Sequence, residues 1–100
     1  MTSVNCFDFD ELCQRTSVPG ETLVTIVEHG IITPINSVAP RWQFDISTVW
    51  VVRRAVRLQR ELELDWQGAA LALELLDENQ RLRDENERLR QRLLRFVAAL

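Results

Sequence analysis

The sequence predicts a mainly α-helical fold: a small winged helix-turn-helix followed by a long C-terminal helix that pairs with a second copy. Three observations carry that prediction. Leu75, Leu82, Leu89 and Phe96 recur every seventh residue in an Arg/Glu-rich stretch without Gly or Pro, the spacing of a helix–helix seam. Ahead of it, two short apolar segments flank the turn Thr16-Ser17-Val18-Pro19-Gly20, as in a helix-turn-helix. Between these regions, β-branched residues broken by Pro34 and the alternation Arg41-Trp42-Gln43-Phe44 supply a small hairpin or wing.

Taken in order, Asp8 or Asp10 caps a first helix through about residue 15, and a second runs over residues 21–28 until Gly30 stops it. Leu12 and Cys13 in the first, with Leu23, Ile26 and Val27 in the second, supply the facing apolar surfaces. Residues 31–35 form one arm of the wing, kept to an edge by Pro34, residues 36–40 its loop and residues 41–44 the other arm. Asp45 then caps a helix over residues 46–62. At 100° per residue its apolar face is Val51, Val52, Ala55, Val56, Leu58 and Leu62, with Arg53, Arg54, Arg57, Arg60 and Glu61 opposite. Trp50 falls on the charged side, where it is either an interface anchor or covered by the wing.

Leu64-Asp65-Trp66 breaks the chain, with Asp65 as the new cap, and a helix of residues 66–98 follows, about 50 Å long at 1.5 Å per residue. Gly68, Ala69, Ala70 and Ala72 keep one side of it narrow enough for another backbone to approach closely. If the leucines occupy d, the a positions are Asn79, Asn86 and Leu93. Amides there sacrifice stability to fix register and partner. Asp84 with Arg88, Arg83 with Glu87 and Glu87 with Arg90 stand at helical pairing distance.

One hundred residues make one domain at most, read as a winged helix-turn-helix over residues 1–64 and a dimerising helix over 65–100 within one compact unit. A core this small buries about two thirds of the chain's surface, so pairing stabilises it. The net charge of −3 is unevenly spread, with residues 1–40 carrying Arg15 against Asp8, Asp10, Glu11, Glu21 and Glu28, and residues 81–100 basic. That distribution suits a protein partner better than a phosphate backbone. All twelve basic residues are Arg, the cation of planar, geometry-dependent contacts.

Cys6 and Cys13 form no disulfide framework, and neither a secretory signal nor a membrane-length apolar run is present. A cytoplasmic protein away from membranes is expected. His29, the only histidine, stands at a helix end suited to local hydrogen bonding, and its spacing from the cysteines matches no zinc pattern. The sequence holds no phosphate-binding glycine loop, no Lys or Tyr, and no recognisable nucleophile set. No enzyme, cofactor or metal is expected.

A helix-turn-helix with a wing is a DNA-reading architecture, yet the would-be recognition helix, Gly20-Glu21-Thr22-Leu23-Val24-Thr25-Ile26-Val27-Glu28, holds two acids and no base. It would bring negative charge to a groove usually read by Arg. Arg41 is the one cation in the wing.

The run from Thr22-Leu23-Val24-Thr25 through Glu28-His29-Gly30 to Pro34 resembles the corresponding segment of MerR-type regulators. That family's DNA-contacting Arg-Tyr is here Val24-Thr25, and Trp42 stands near its wing Arg. Further along, Arg54-Ala55-Val56-Arg57-Leu58, Glu61-Leu62, Leu64-Asp65-Trp66 with Gly68, Glu85-Asn86, and Leu89-Arg90-Gln91-Arg92-Leu93 with Arg95-Phe96-Val97 follow in order. Over nearly the whole chain this is similar to the CbpM family of chaperone modulators.

The resemblance implies a dimeric inhibitor that binds the J-domain of an Hsp40-type, curved-DNA-binding co-chaperone and blocks both its work with Hsp70 and its DNA binding. Trp50, Arg54, Arg57, Glu61, Glu63, Asp65 and Trp66 are then the candidate partner-binding residues, with Asp8, Asp10 and Glu11 as further carboxylates. Carboxylates suit a basic J-domain helix, and Trp50 or Trp66 would be the apolar anchor. Leu75, Asn79, Leu82, Asn86, Leu89, Leu93 and Phe96 are the candidate dimerisation residues. Charge at e and g favours a parallel pair, whereas the MerR resemblance implies an antiparallel one, which is the arrangement expected. A MerR-like DNA-binding regulator and a generic helical adaptor are the alternatives.

Overall fold

The computed structural model describes residues 6–36 and 42–100, so most of the predicted wing loop and Arg41 lie outside the described residues. In order it contains β1 (Cys6–Asp8), α1 (Phe9–Thr16), α2 (Gly20–Glu28), β2 (Gln43–Asp45), α3 (Thr48–Glu61) and α4 (Trp66–Ala98). Local chemistry explains the helix ends. Asp8 caps α1: its Oδ1 accepts the Glu11 N–H at 2.8 Å and Glu11 reaches back to the Asp8 N–H at 3.4 Å, a reciprocal capping box. At the end of α2, Ile31 N–H donates to the Ile26 carbonyl and Gly30 N–H to that of Val27. This Schellman closure needs a left-handed residue, and Gly30 supplies it at φ +72°.

The strand pairing differs from the sequence expectation. β2 runs antiparallel to β1, with Phe7 opposite Phe44, while residues 31–35 form no strand. Toward β2 they donate the Ile35 N–H to the Gln43 carbonyl at 2.7 Å, beside an isolated Asn36–Gln43 bridge. Pro34 lacks the N–H that would extend the ladder on this edge, and β1 pairs along the other edge of β2, so that Gln43 faces Asp8 on one side and Asn36 on the other.

α3 also begins two residues later than its sequence suggests. Asp45 is held extended opposite Cys6, and its Oδ1 accepts the Ser47 N–H at 2.8 Å, turning the chain before Thr48 instead of capping the helix. That hydrogen bond holds the Asp45 carboxyl below the ordinary aspartate range. The buried face of α3 is consequently Thr48, Val49, Val52 and Ala55, while Val51 and Leu62 are exposed. The helix seats on the core along its leading edge, and Leu62 lies past its last turn.

Leu12, Leu23, Ile26, Phe44 and Val52 are the largest fully buried side chains, joined by Val18, Ile32 and Val49 in one core. Trp42 packs edge-on between Phe9 and Phe44, with ring centroids 6.2 and 6.3 Å away.

The turn into α4 carries strain. Glu63 stands at φ +52° and the following Leu64 N–H closes onto the Gln59 carbonyl at 3.1 Å, so a residue with a Cβ occupies the place a glycine usually takes. Replacing Glu63 by Gly is expected to stabilise the chain by about 1 kcal/mol, the cost of a left-handed L-residue, as read from urea unfolding. Asp65 then caps α4 by accepting the Gly68 N–H at 2.7 Å. A Cβ on Gly68 would stand 3.1 Å from that carboxylate. Trp66, Ala69 and Leu73 share one face: Ala69 and Leu73 are buried, and Trp66 packs against the core. Beyond this stem every residue of α4 is exposed. Its ion pairs join Arg81 to Glu78 at 2.6 Å and to Glu85 at 3.2 Å, in place of the pairs expected from spacing. Arg81 has carboxylates one turn away on both sides and spans them.

Candidate partner-binding surface

The predicted partner-binding residues divide into three groups. Trp50, Arg54, Arg57 and Glu61 lie within about 60° of one another about the axis of α3 at 100° per residue, and all are exposed. They form one outward stripe. Trp50 is 68% exposed, with the Arg53 guanidinium stacked 5.4 Å from its ring centre. Arg54 reaches Asp77 of α4 at 3.3 Å, clipping the two helices together, and Arg57 pairs with Glu61 at 3.0 Å. These exposed pairs contribute little stability and can exchange for a partner's charges.

Glu61, Glu63 and Asp65 form an acidic corner where α3 gives way to α4. Glu61 and Glu63 are exposed, whereas the Asp65 carboxylate is occupied by its cap. Trp66 does not project as an anchor. It packs inward with Ala69 and Leu73 because Asp65 fixes the first turn of α4 and thereby aims that face at the core. Trp50 and Glu61 are separated along α3 by about 16 Å at 1.5 Å per residue, so the aromatic anchor and the acidic corner stand at opposite ends of the stripe.

On the helix that would read DNA, Glu21 and Glu28 are exposed and α2 carries no cation. The Thr25 hydroxyl donates to the Glu21 carbonyl at 3.0 Å and His29 Nδ1 meets the Thr25 carbonyl at 2.8 Å. Both polar groups are thus used within their own helix. Trp42, at the position of a wing cation, is turned into the aromatic cluster.

Leu75, Leu82, Leu89, Leu93 and Phe96 are each at least half exposed along α4, with Asn79 and Asn86 exposed among them. Leu76 and Val97 widen the stripe. No neighbouring element of the described chain covers this seam.

Sequence reasoning missed an apolar groove of about 420 Å³ lined by Phe7, Ile46, Val49 and Trp50 and edged by Arg15 and Arg53. It exists because β1 pairs with β2 and brings Phe7 beside the start of α3. Nothing in the local sequence marks that pairing.

Residues 7–91 match the MerR HTH family of regulatory proteins. The chain is 51% identical over 90 residues to the chaperone modulatory protein CbpM of Pseudomonas putida F1, covering 90% of this chain and 89% of the relative. The chain belongs to the CbpM family. A CbpM of Salmonella paratyphi B is 50% identical over 92 residues, covering 92% of this chain and 91% of that protein, and one from Pseudomonas entomophila is 49% identical over 90 residues. The family match accounts for the helix-turn-helix fold. Among the described residues no helix is long and apolar enough to cross a membrane.

Proposed function

We propose that this chain is a chaperone modulator that captures the J-domain of an Hsp40-type, curved-DNA-binding co-chaperone and inhibits its co-chaperone and DNA-binding activities by masking. The observation that carries this reading is the acidic, cation-free α2 on a MerR-type scaffold. A phosphate backbone is repelled where the fold would otherwise read it. The names of the relatives support modulation of a chaperone.

In this reading the J-domain's basic helix meets Glu61 and Glu63, and Trp50 supplies apolar area at the far end of the stripe. Occupying that basic helix excludes Hsp70 sterically and electrostatically. No bond is made or broken, and no cofactor takes part. Residues 1–64 form the partner-recognising unit, and residues 65–100 pair two copies into a cytoplasmic homodimer. Arg81 holds Glu78 and Glu85 on their own helix. This weakens the g-to-e′ attraction that would select parallel pairing, so the antiparallel arrangement is favoured.

Two variants test the acidic corner. Glu61→Lys with Glu63→Lys is expected to weaken binding to an isolated J-domain at least tenfold, roughly 1.4 kcal/mol, measured by calorimetric titration. Glu63→Gly, which relieves the backbone, is expected to bind less tightly while unfolding at higher urea. Unchanged affinity in the charge-reversed protein would remove both carboxylates from the contact.

A further inference from the structure

The stripe on α3 has a second half whose charge is opposite to that of the acidic corner. Two grooves meet at Arg53: the apolar one floored by Phe7, Ile46 and Val49, and another of about 520 Å³ lined by Thr16, Val56, Arg57, Arg60 and Glu61. Four arginines surround them. Arg15 stacks 5.3 Å from the centre of the Phe7 ring and Arg53 lies 5.4 Å from that of Trp50. Arg53 also donates to the Arg15 carbonyl at 2.9 Å, tying the end of α1 to α3. Arg60 has no hydrogen-bond or ion-pair partner among the described residues, and Arg57 is held only by the exposed Glu61.

We infer that this continuous surface is a docking site for an acidic segment of another protein that carries an apolar or aromatic side chain. Its apolar residue enters the groove between Phe7 and Trp50, and its carboxylates meet Arg57 and Arg60. A guanidinium stacked on a ring keeps its edge available for a carboxylate, and Arg pairs with that planar group through two parallel hydrogen bonds. The stacked rings also hold Arg15 and Arg53 in place before a ligand arrives, which lowers the entropy lost on binding. Single-stranded nucleic acid would find the same cations and rings. However, its charges continue at every nucleotide toward Glu61 and Glu63 in a chain of net charge −3, whereas a peptide places its acids within the patch. The inference goes beyond the J-domain reading: the two share Trp50 and Arg57, but here the charges that bind are Arg57 and Arg60, with Arg15 and Arg53 beside the rings.

The test uses fluorescence anisotropy with the full chain and a labelled synthetic peptide in which a Phe-Leu pair is flanked by Asp and Glu. Comparison probes are the same peptide with Ala-Ala at the centre and an oligo-dT of equal charge. Saturable binding of the Phe-Leu peptide is expected, weakened roughly tenfold by Arg60→Glu and by Trp50→Ala, and weaker still for the Ala-Ala probe. Both altered residues are exposed, so unchanged thermal unfolding of the variants confirms that their fold is intact. Arg60→Gln provides a milder check with the same expected direction. Absence of saturable binding, equal binding by the Arg60→Glu and parent chains, or tighter binding of oligo-dT would overturn the assignment.

Discussion

Replacing Phe44 by Ala is expected to remove a large part of the chain's folding stability and to lower its urea midpoint markedly. Phe44 is fully buried, lies opposite Phe7 in the sheet and touches Trp42 edge-on, within a core shared by α1, α2 and α3. Emptying such a position costs about 3–5 kcal/mol, against a total stability of about 5–15 kcal/mol for a domain of ordinary robustness. The loss is aggravated because the sheet has two strands among the described residues and Phe44 is its fully buried side chain. Urea unfolding followed by circular dichroism gives the measure. A midpoint within a few tenths molar of the parent would show that the sheet contributes little to the fold.

A second large effect is expected on α4. In the proposed homodimer, Leu82→Asp with Leu89→Asp should leave the chain monomeric. Four leucines lost from a two-chain seam, at about 2 kcal/mol each, remove about 8 kcal/mol, more than a hundred-thousandfold in dissociation constant. Because both leucines are half exposed on the single chain, the variant should keep its helix-turn-helix fold. Sedimentation equilibrium distinguishes the outcomes, and a variant that still sediments as a dimer would place the pairing surface elsewhere.

The parts legible in the sequence are those governed by neighbours in the chain. Asp8, Gly30 and Asp65 mark helix ends through hydrogen bonds spanning three to five residues, and α4 occupies residues 66–98 as its pattern indicates. The outward stripe was legible too, because 100° spacing alone places Trp50, Arg54, Arg57 and Glu61 together. What escaped were contacts between distant segments. Cys6-Phe7-Asp8 is too short to show alternation, and its partner Gln43–Asp45 lies far along the chain. That unrecognised pairing shifted the start of α3, moved its core face toward Val49 and created the groove beside Trp50. Trp66 illustrates a related limit. A large aromatic in a first turn looks available until the cap next to it fixes which way the turn faces.

The central claim is that a DNA-reader scaffold without cations on its recognition helix captures a protein instead. The most direct measurement titrates the purified chain, at physiological ionic strength, against an isolated J-domain from a curved-DNA-binding co-chaperone and in parallel against duplex DNA. Saturable J-domain binding that weakens with added salt is expected, with no comparable affinity for the duplex. Tight duplex binding with a steep salt dependence, together with indifference to the J-domain, would contradict that claim.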